Sequence, residues 1–372
     1  MNARVAAVLV VLLVVLGGAA LLFRQQEADR RPDNTATLGK PLLKDLKAAD
    51  VAAIRIVEPK ASQPDAKASQ TDAKVTLTLQ RKDDGWVIAE RDGFPADIAK
   101  VRDFVVKAIG LKIGQSEPIG DKDRARLDLD ASATQVELDG TGGKPLARLM
   151  VGKKYFKSEP ENRDKAPADG RFVMLPGDTK TVYIVSDPLA QAAARSAAWI
   201  DRTSFKVEKV ASLEVRYPDG SGYRIERSGD NADWKLGGAK PGEKLDVPKA
   251  NAASYSLGLL ELADVAPKDA KEDGKISGLD NPTQIDATTL DGLSYAIKVG
   301  NAAGDNLYVS FSSSGTPKAD EKDAERTKKL QERLPREKVL SQHVLLIPKS
   351  KLDDTLKKRA DLLEKKEEPK KK

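Results

Sequence analysis

The chain has one histidine, His343, and no cysteine. Histidine is the side chain best suited to act as a general base near neutral pH, but a base of that kind needs a partnered nucleophile. The sequence shows no nucleophile elbow, and without cysteine it offers no thiol. The missing cysteine also excludes disulfides, zinc–thiolate sites and iron–sulfur clusters. We therefore predict a structural or surface role for His343, next to the apolar run Val344–Ile347.

Paired carboxylates occur at Asp83-Asp84, at Asp128 and Asp130, and at Asp353-Asp354. Two converging acids roughly 5 to 10 Å apart would suit a glycosidase. Each pair, however, lies at a predicted turn or helix start, where aspartate is favoured because it bonds to nearby backbone amides. We expect these acids to stabilise turns. The predicted set of catalytic, cofactor-binding and metal-ligating residues is therefore empty, and no enzymatic activity is predicted.

Glycines and tryptophans also favour structural interpretations. The run Gly140-Thr141-Gly142-Gly143 lacks the lysine and hydroxyl residue of a phosphate-binding loop, so it predicts a hairpin turn. Trp86 and Trp234 alternate in phase with apolar residues, which favours core packing over stacking on sugars.

The charges nearly balance, with 63 Lys and Arg against 57 Asp and Glu. Much of the excess lies in the Lys-rich tail 357–372, which we expect to be a solvated end. Because the chain has only 5% aromatic residues and no basic face interleaved with them, we expect no nucleic-acid partner.

A membrane anchor is predicted at the N-terminus. Val5 to Phe23 carries no charge and is bounded by Arg4 and Arg24. At about 1.5 Å per residue its length matches a hydrocarbon core of roughly 30 Å. A cleaved signal peptide is the alternative, with Gly18-Ala19-Ala20 as the processing site. We favour an uncleaved, single-pass anchor in the inner membrane, with the body exported.

An internal repeat follows the anchor. The opening strand Val51–Ile56 recurs as Val210–Val215. A hairpin closing on Trp86 recurs with Trp234, and each is followed by a helix whose first turn Asp97 or Asp246 can cap. The later segments match as well: Leu127-Asp128 with Leu279-Asp280, Leu149–Gly152 with Ile297–Gly300, Phe172–Met174 with Leu307–Val309, and Val182–Val185 with Val344–Ile347.

The repeat predicts an α+β fold of two tandem modules, each a mostly antiparallel sheet with covering helices. The expected order is an N-terminal transmembrane helix (1–24), a linker (25–44), a first module (45–200), a second module (201–356) and the Lys-rich tail. Closing helices are predicted at Asp187-Pro188 and at Ser350. The duplicated heptapeptide 61–74 predicts a mobile hairpin extension, and Lys318–Leu334 predicts a solvated helix or a disordered flap.

This order of features resembles the bacterial family called domain of unknown function 4340. The resemblance rests on the apolar leader, the opening strand, the Gly85-Trp86 hairpin, the helix at Asp97, and the Leu-Asp and Val-Gly steps. At the join, Trp199-Ile200-Asp201-Arg202 reverses the family's usual Arg-Asp order.

The resemblance implies an envelope protein without agreed catalytic residues, whose relatives are often encoded beside ABC-type or gliding-motility-like transport components. It implies no cofactor. The expected partners are therefore the membrane, through Val5 to Phe23, and ABC-type transporter subunits. Two alternatives stay open: an envelope hydrolase that uses acids in a cleft between modules, and a protein that binds cell-wall glycan.

Overall fold

The structure is a computed structural model that describes residues 37–59, 74–83, 85–163, 165–318 and 324–364. The predicted anchor at Val5 to Phe23, residues 61–73 of the duplicated heptapeptide and the end of the Lys-rich tail lie outside these ranges. Within them, no helix combines the length and apolarity needed to cross a bilayer.

Two sheets hold the strands, and every strand pairing given below is antiparallel. The strands of the first sheet are β1 Ala53–Pro59, β2 Lys74–Lys82, β3 Gly85–Ile88, β4 Phe94–Pro95, β5 Ile113–Pro118, β6 Thr134–Asp139, β7 Pro145–Tyr155, β8 Gly170–Leu175 and β9 Asp178–Val185. Their order across the sheet is β4-β3-β2-β1-β6-β7-β8-β9-β5.

The second sheet has the same strand order apart from one short strand. Its strands are β10 Val210–Arg216, β11 Gly222–Glu226, β12 Lys235–Leu236, β13 Asp264–Val265, β14 Thr283–Thr289, β15 Leu293–Ala303, β16 Asn306–Gly315 and β17 Leu345–Pro348. Their order is β12-β11-β10-β14-β15-β16-β17-β13. Matched in chain order, each strand occupies the place of its counterpart, and only β4 has none.

Six α-helices accompany the sheets in the described ranges: α1 Ile98–Ile109, α2 Asp121–Arg126, α3 Val247–Tyr255, α4 Lys268–Glu272, α5 Gly274–Ser277 and α6 Ala324–Leu340. The predicted combination of mostly antiparallel sheet with a few helices is confirmed. Side chains alternate between the two faces of a strand, and the buried face marks the core. Along β15, Leu293, Tyr295, Ile297 and Val299 are buried while the residues between them are not.

The chain divides into two compact units. The first comprises residues 1–76 and 102–193, and the second comprises residues 77–101 and 194–372. The second unit therefore includes the β3–β4 turn and the start of α1, besides the strands of the second sheet. The predicted modules 45–200 and 201–356 stay a prediction.

The two predicted helix starts are confirmed. Asp97 accepts hydrogen bonds from the amides of Ala99 and Lys100, and Asp246 accepts one from the amide of Lys249. The apolar residues that follow at intervals of three and four are buried: Val101, Phe104, Ala108 and Leu111 in one copy, and Ala250, Ala253, Leu257 and Leu260 in the other.

A matched pair of hydrogen bonds ties each of these helix starts to a later segment of the same repeat. The amide of Asp97 donates to the carbonyl of Trp199 (2.7 Å), and Lys100 Nζ donates to the carbonyl of Ile200 (2.7 Å). In the second copy the amide of Asp246 donates to Leu362 (2.9 Å) and Lys249 Nζ to Leu363 (3.3 Å). We call each pair a clasp. Trp199 and Leu362 are both fully buried beside their clasps.

The predicted closing helices are wrong. Asp187 does accept a hydrogen bond from the amide of Leu189, but Leu189 has a φ of 47°, which a continuing right-handed helix does not allow. A single 3-10 turn, Ser196–Ala198, leads into the first clasp. In the second copy Ser350 lies inside the 3-10 turn Lys349–Lys351, and a further 3-10 turn, Arg359–Leu362, precedes the second clasp.

Two charged segments bury more side chains than predicted. The stretch Lys318–Leu334, predicted as a solvated helix or a disordered flap, forms the helix α6 from Ala324 onward, and α6 buries Leu330, Glu337 and Leu340. Residues 357–364, assigned from sequence to the Lys-rich tail, pack on the second unit. Arg359 donates to the carbonyls of Gly237 and Gly238, and Leu362 is buried.

The glycine of each Val-Gly step is required by a close approach of backbone. A Cβ added at Gly152 would lie 2.3 Å from the carbonyl oxygen of Leu127, and one at Gly300 would lie 2.0 Å from that of Ser277. In each copy the loop before the strand β6 or β14 crosses directly over the end of β7 or β15. Only glycine leaves room for that crossing.

We expect Gly152→Ala and Gly300→Ala each to lower the free energy of unfolding by at least about 2 kcal/mol, because the added methyl group meets backbone that must shift. Denaturant titration of the full chain measures this. Gly177→Ala is the matched control, since nothing lies within 4 Å of a Cβ there. A cost at Gly152 or Gly300 no larger than that of the control would contradict the close approach.

Candidate binding surface

The structure places His343 in a packing position. It is 6% exposed, and its ring lies edge-on to Phe94 with the centroids 5.1 Å apart. Burial lowers the pKa of His343, so the neutral ring is favoured near pH 7. Lys271 lowers this pKa further and Asp92 raises it, and these two side chains bind each other through a 2.6 Å ion pair. His343 therefore packs as a neutral ring, in agreement with the predicted structural role.

The acids of the predicted pairs that the structure describes form hydrogen bonds or ion pairs with other side chains or with backbone. Asp130 accepts hydrogen bonds from the amide and the hydroxyl of Ser132, and the hydroxyl bond is the main reason why the pKa of Asp130 is lowered. Asp128 has a left-handed backbone conformation and faces Lys153 at 3.5 Å. Asp354 binds Lys357. Asp84 lies outside the described residues.

Among the described residues, no cluster of three or more acids, histidines or cysteines could hold a metal ion.

The glycine run and Trp234 follow the sequence interpretation. Gly140 and Lys144 close the turn between β6 and β7 through a 2.7 Å backbone hydrogen bond. Trp234 is buried, its Nε1 donates to Asn251, and Arg227 lies over its ring at 4.8 Å. Its indole face is therefore not available to a sugar. Trp86 is only half-buried, so it contributes less to the core than predicted.

A cation-rich surface of the second unit was not predicted. Two neighbouring cavities of about 390 and 410 Å³ share Lys206, Glu208 and Arg326 in their walls. We call the cationic residues lining them the cationic surface: Lys206, Lys209, Arg227, Arg326, Lys329 and Arg333. Only two carboxylates, Glu208 and Glu325, line the same cavities.

Ion pairs hold the cationic surface in place. Arg326 binds Asp291 at 2.6 Å, and Lys209 reaches the same carboxylate at 3.7 Å. Glu208 lies between Lys206 (2.9 Å) and Arg333 (3.5 Å). Arg227 likewise binds Asp230, and Lys329 binds Glu325. Because cations and carboxylates are paired in this way, the cationic side chains are held in place along the cavity walls.

Two large apolar side chains lie exposed in the wall of the second cavity. Tyr255, at the end of α3, is 69% exposed, and Leu259 is 51% exposed. Exposed apolar residues beside fixed arginines match the composition of protein–protein interfaces, where aromatic residues and arginine are enriched.

A buried ionic cluster anchors α6 behind this surface. Glu337 is fully buried and lies 2.9 Å from Arg333 Nε. The hydroxyl of Tyr295, on β15, donates to Glu337 at 3.2 Å and accepts a hydrogen bond from Arg333 at 2.7 Å. Burial raises the pKa of Glu337 above its usual value, and Arg333 only partly offsets this effect. Arg333 thus connects the buried carboxylate to Glu208 at the surface.

One sequence signal could have located this cluster. Leu330, Arg333, Glu337 and Leu340 are spaced by three, four and three residues, which puts them on one face of a helix. A glutamate in such a stripe indicates a buried, partnered carboxylate. The alternating charges around it instead favoured a solvated helix.

We expect Glu337→Ala to lower the free energy of unfolding by about 3–5 kcal/mol, since it removes the buried carboxylate that Arg333 and Tyr295 share. Glu337→Gln keeps the bond to Tyr295 and should cost much less. The raised pKa means that the folded protein holds a proton more tightly than the unfolded chain, so wild-type stability falls as pH rises from 4.5 through the raised value.

Urea titrations of the wild type and Glu337→Gln from pH 4.5 to 8 measure this difference. The glutamine variant lacks the titrating group, so its stability relative to wild type should increase across that window. Parallel pH profiles would show that burial of Glu337 does not shift its titration.

Comparison with known proteins gives one family. A family model described as "Domain of unknown function (DUF4340)" matches residues 86–282, just over half of the chain. No curated protein and no solved structure matches. The matched range covers the β3–β4 turn, both helix starts and the Leu-Asp steps that carry the resemblance. The chain belongs to the DUF4340 family.

Proposed function

We propose that the protein is a non-catalytic binding or scaffolding accessory of an ABC-type or gliding-motility-like transport complex. In this proposal Val5 to Phe23 anchors it in the inner membrane as a single-pass protein, and the two sheets lie outside the cytoplasm as tandem, repeat-related modules. An anchored module meets its partner at a high effective concentration, so modest surfaces suffice for binding.

The observation that carries the proposal is the pairing of exposed Tyr255 and Leu259 with the cationic surface. Burying two such side chains on association removes apolar area from water at about 25 cal/mol per Å². The neighbouring ion pairs hold Arg326 and Arg333 in place, so little side-chain entropy is lost when a partner binds. The cations would select a partner whose facing surface is acidic.

The transport partner is suggested by the family resemblance. The expected partner is a membrane transport subunit with an acidic docking face.

The experiment is affinity purification of the full-length protein from detergent extracts of its native host, with identified transporter subunits quantified by mass spectrometry. The double variant Tyr255→Ala/Leu259→Ala should reduce their recovery at least about tenfold, because it removes the apolar centre of the surface. Both side chains are more than half exposed, so the fold should tolerate the change.

The matched control is Val106→Ala/Ile276→Ala, which truncates two apolar side chains that are 57% and 45% exposed elsewhere. It should leave recovery unchanged. Recovery of the wild-type protein without any transporter subunit under gentle conditions would refute the proposed function. Equal recovery by both double variants would remove Tyr255 and Leu259 from the interface.

A further inference from the structure

The β3–β4 turn is held against other segments of the second unit by an ion pair and a ring contact. Asp92, in the turn, binds Lys271 on α4 with 2.6 Å between the carboxylate oxygen and the ammonium nitrogen. Phe94, where the turn meets β4, is 1% exposed and packs on His343, which lies in the chain between α6 and β17. All four residues belong to the second unit. We call these two contacts the latch.

The ring of His343 lies where a positive charge is unfavourable. Among the residues that the structure describes, it has no hydrogen-bond partner, and it is 6% exposed. The next residue, Val344, packs with Ala266 and Ala270 in a buried apolar cluster. A proton added to the ring would therefore create a buried charge without an acceptor. For this reason burial is the main cause of the lowered pKa of His343.

One carboxylate would have to serve two cations if His343 were charged. Asp92 favours the protonated ring and Lys271 disfavours it, but both effects are smaller than that of burial. Asp92 already accepts a hydrogen bond from Lys271, which is the main reason why the pKa of Asp92 is lowered. A protonated His343 therefore competes with Lys271 for Asp92, and two positive charges face one negative charge. Protonation of the ring weakens the ion pair of the latch.

Other charged groups on the surrounding elements have partners of their own. In the turn, Arg91 lies 4.0 Å from Asp264 on β13. On α4, Lys268 pairs with Glu272 at 3.5 Å. Near the end of α6, Glu337 belongs to the buried ionic cluster described above. Besides burial, the pKa of the ring thus depends on the two charged groups of the latch.

We propose that His343 makes this contact a proton-sensitive latch: when the ring takes up a proton from solvent, it weakens the bond between Lys271 and Asp92, and the β3–β4 turn opens away from α4. In the latched form the ring is neutral and packs on Phe94. In the open form the ring reaches water, and Phe94 leaves its buried position. The latch needs no transport subunit, so it operates whether or not the proposed partner binds.

The direction of the pH dependence follows from the burial of the ring. Because burial lowers the pKa of His343 in the latched form, the open form takes up a proton first as the pH falls. The stability of the latch is therefore fully present above pH 6.5, the usual pKa of histidine, and declines as the pH falls below it. Opening becomes more favourable by about tenfold for each pH unit that separates the two pKa values of the ring.

The first test titrates the ring by NMR in the full-length protein, in detergent and without a histidine tag. Because the chain has one histidine, labelling with ¹³C-histidine gives a single imidazole to follow. Its pKa should lie below 6.5. Lys271→Gln should raise this pKa and Asp92→Asn should lower it further, since each removes a charge that acts on the ring. Lys275→Gln, at an exposed position on α5, is the matched control and should leave it unchanged.

The second test measures opening of the turn by amide hydrogen exchange at about pH 7.5 and about pH 5, corrected for the intrinsic pH dependence of exchange. The amides of Gly93 and Ala96 donate to backbone carbonyls, so their protection reports the closed turn. Between the two pH values this protection should fall at least about threefold more in the wild type than in His343→Phe. That variant keeps a ring beside Phe94 but cannot take up a proton. The β10–β11 turn of the same unit is the internal control and should behave alike in both proteins.

The titration of the wild-type ring needs no variant, so the latch remains testable even if His343→Phe does not fold. A wild-type pKa at or above 6.5 would overturn it, as would a shift in Lys271→Gln no larger than that in the control. Equal loss of protection in the wild type and His343→Phe would show that the ring does not control the turn. An equal difference between the two proteins in the β10–β11 turn would show general destabilisation and would also overturn the latch.

Discussion

Both repeats depend on the clasp between the start of a covering helix and the last residues of the repeat. An amide at the N-cap position usually has no partner in the helix, and here it donates to a buried carbonyl instead. The lysine three residues later neutralises the capping aspartate and bonds the next carbonyl: Lys100 approaches Asp97 at 4.0 Å, and Lys249 approaches Asp246 at 3.0 Å. Each helix start thus holds the last residues of its repeat.

The two repeats share the clasp and several other features, and they differ in others. The shared part is the strand order, the capped helix and the glycine that lets the preceding loop cross the sheet. The repeats differ in what packs beside the edge strands β13 and β5. In the second unit the β3–β4 turn contacts Asp264, Lys271 and His343, and α6 adds a cluster centred on Glu337. In the first unit a groove of about 590 Å³ is lined by Tyr155, Phe156 and Phe172.

The sequence predicted those parts of the fold that depend on local patterning. Alternating apolar residues located the strands, and Asp97 and Asp246 located two helix starts, because these signals act within a few residues. The predictions from sequence were wrong or incomplete where contacts between distant segments determine the structure. Pro188 indicated a helix start, but Leu189 adopts a left-handed conformation there, and the charged α6 is held by a buried carboxylate. The cationic surface was not predicted, because it gathers residues from distant segments.

Closure of both repeats by the same clasp can be measured by amide hydrogen exchange of the full-length protein. We expect the amides of Asp97 and Asp246 to exchange slowly and to a similar degree, although N-cap amides are ordinarily open to water. Exchange of either amide at the rate of an unstructured chain would contradict it.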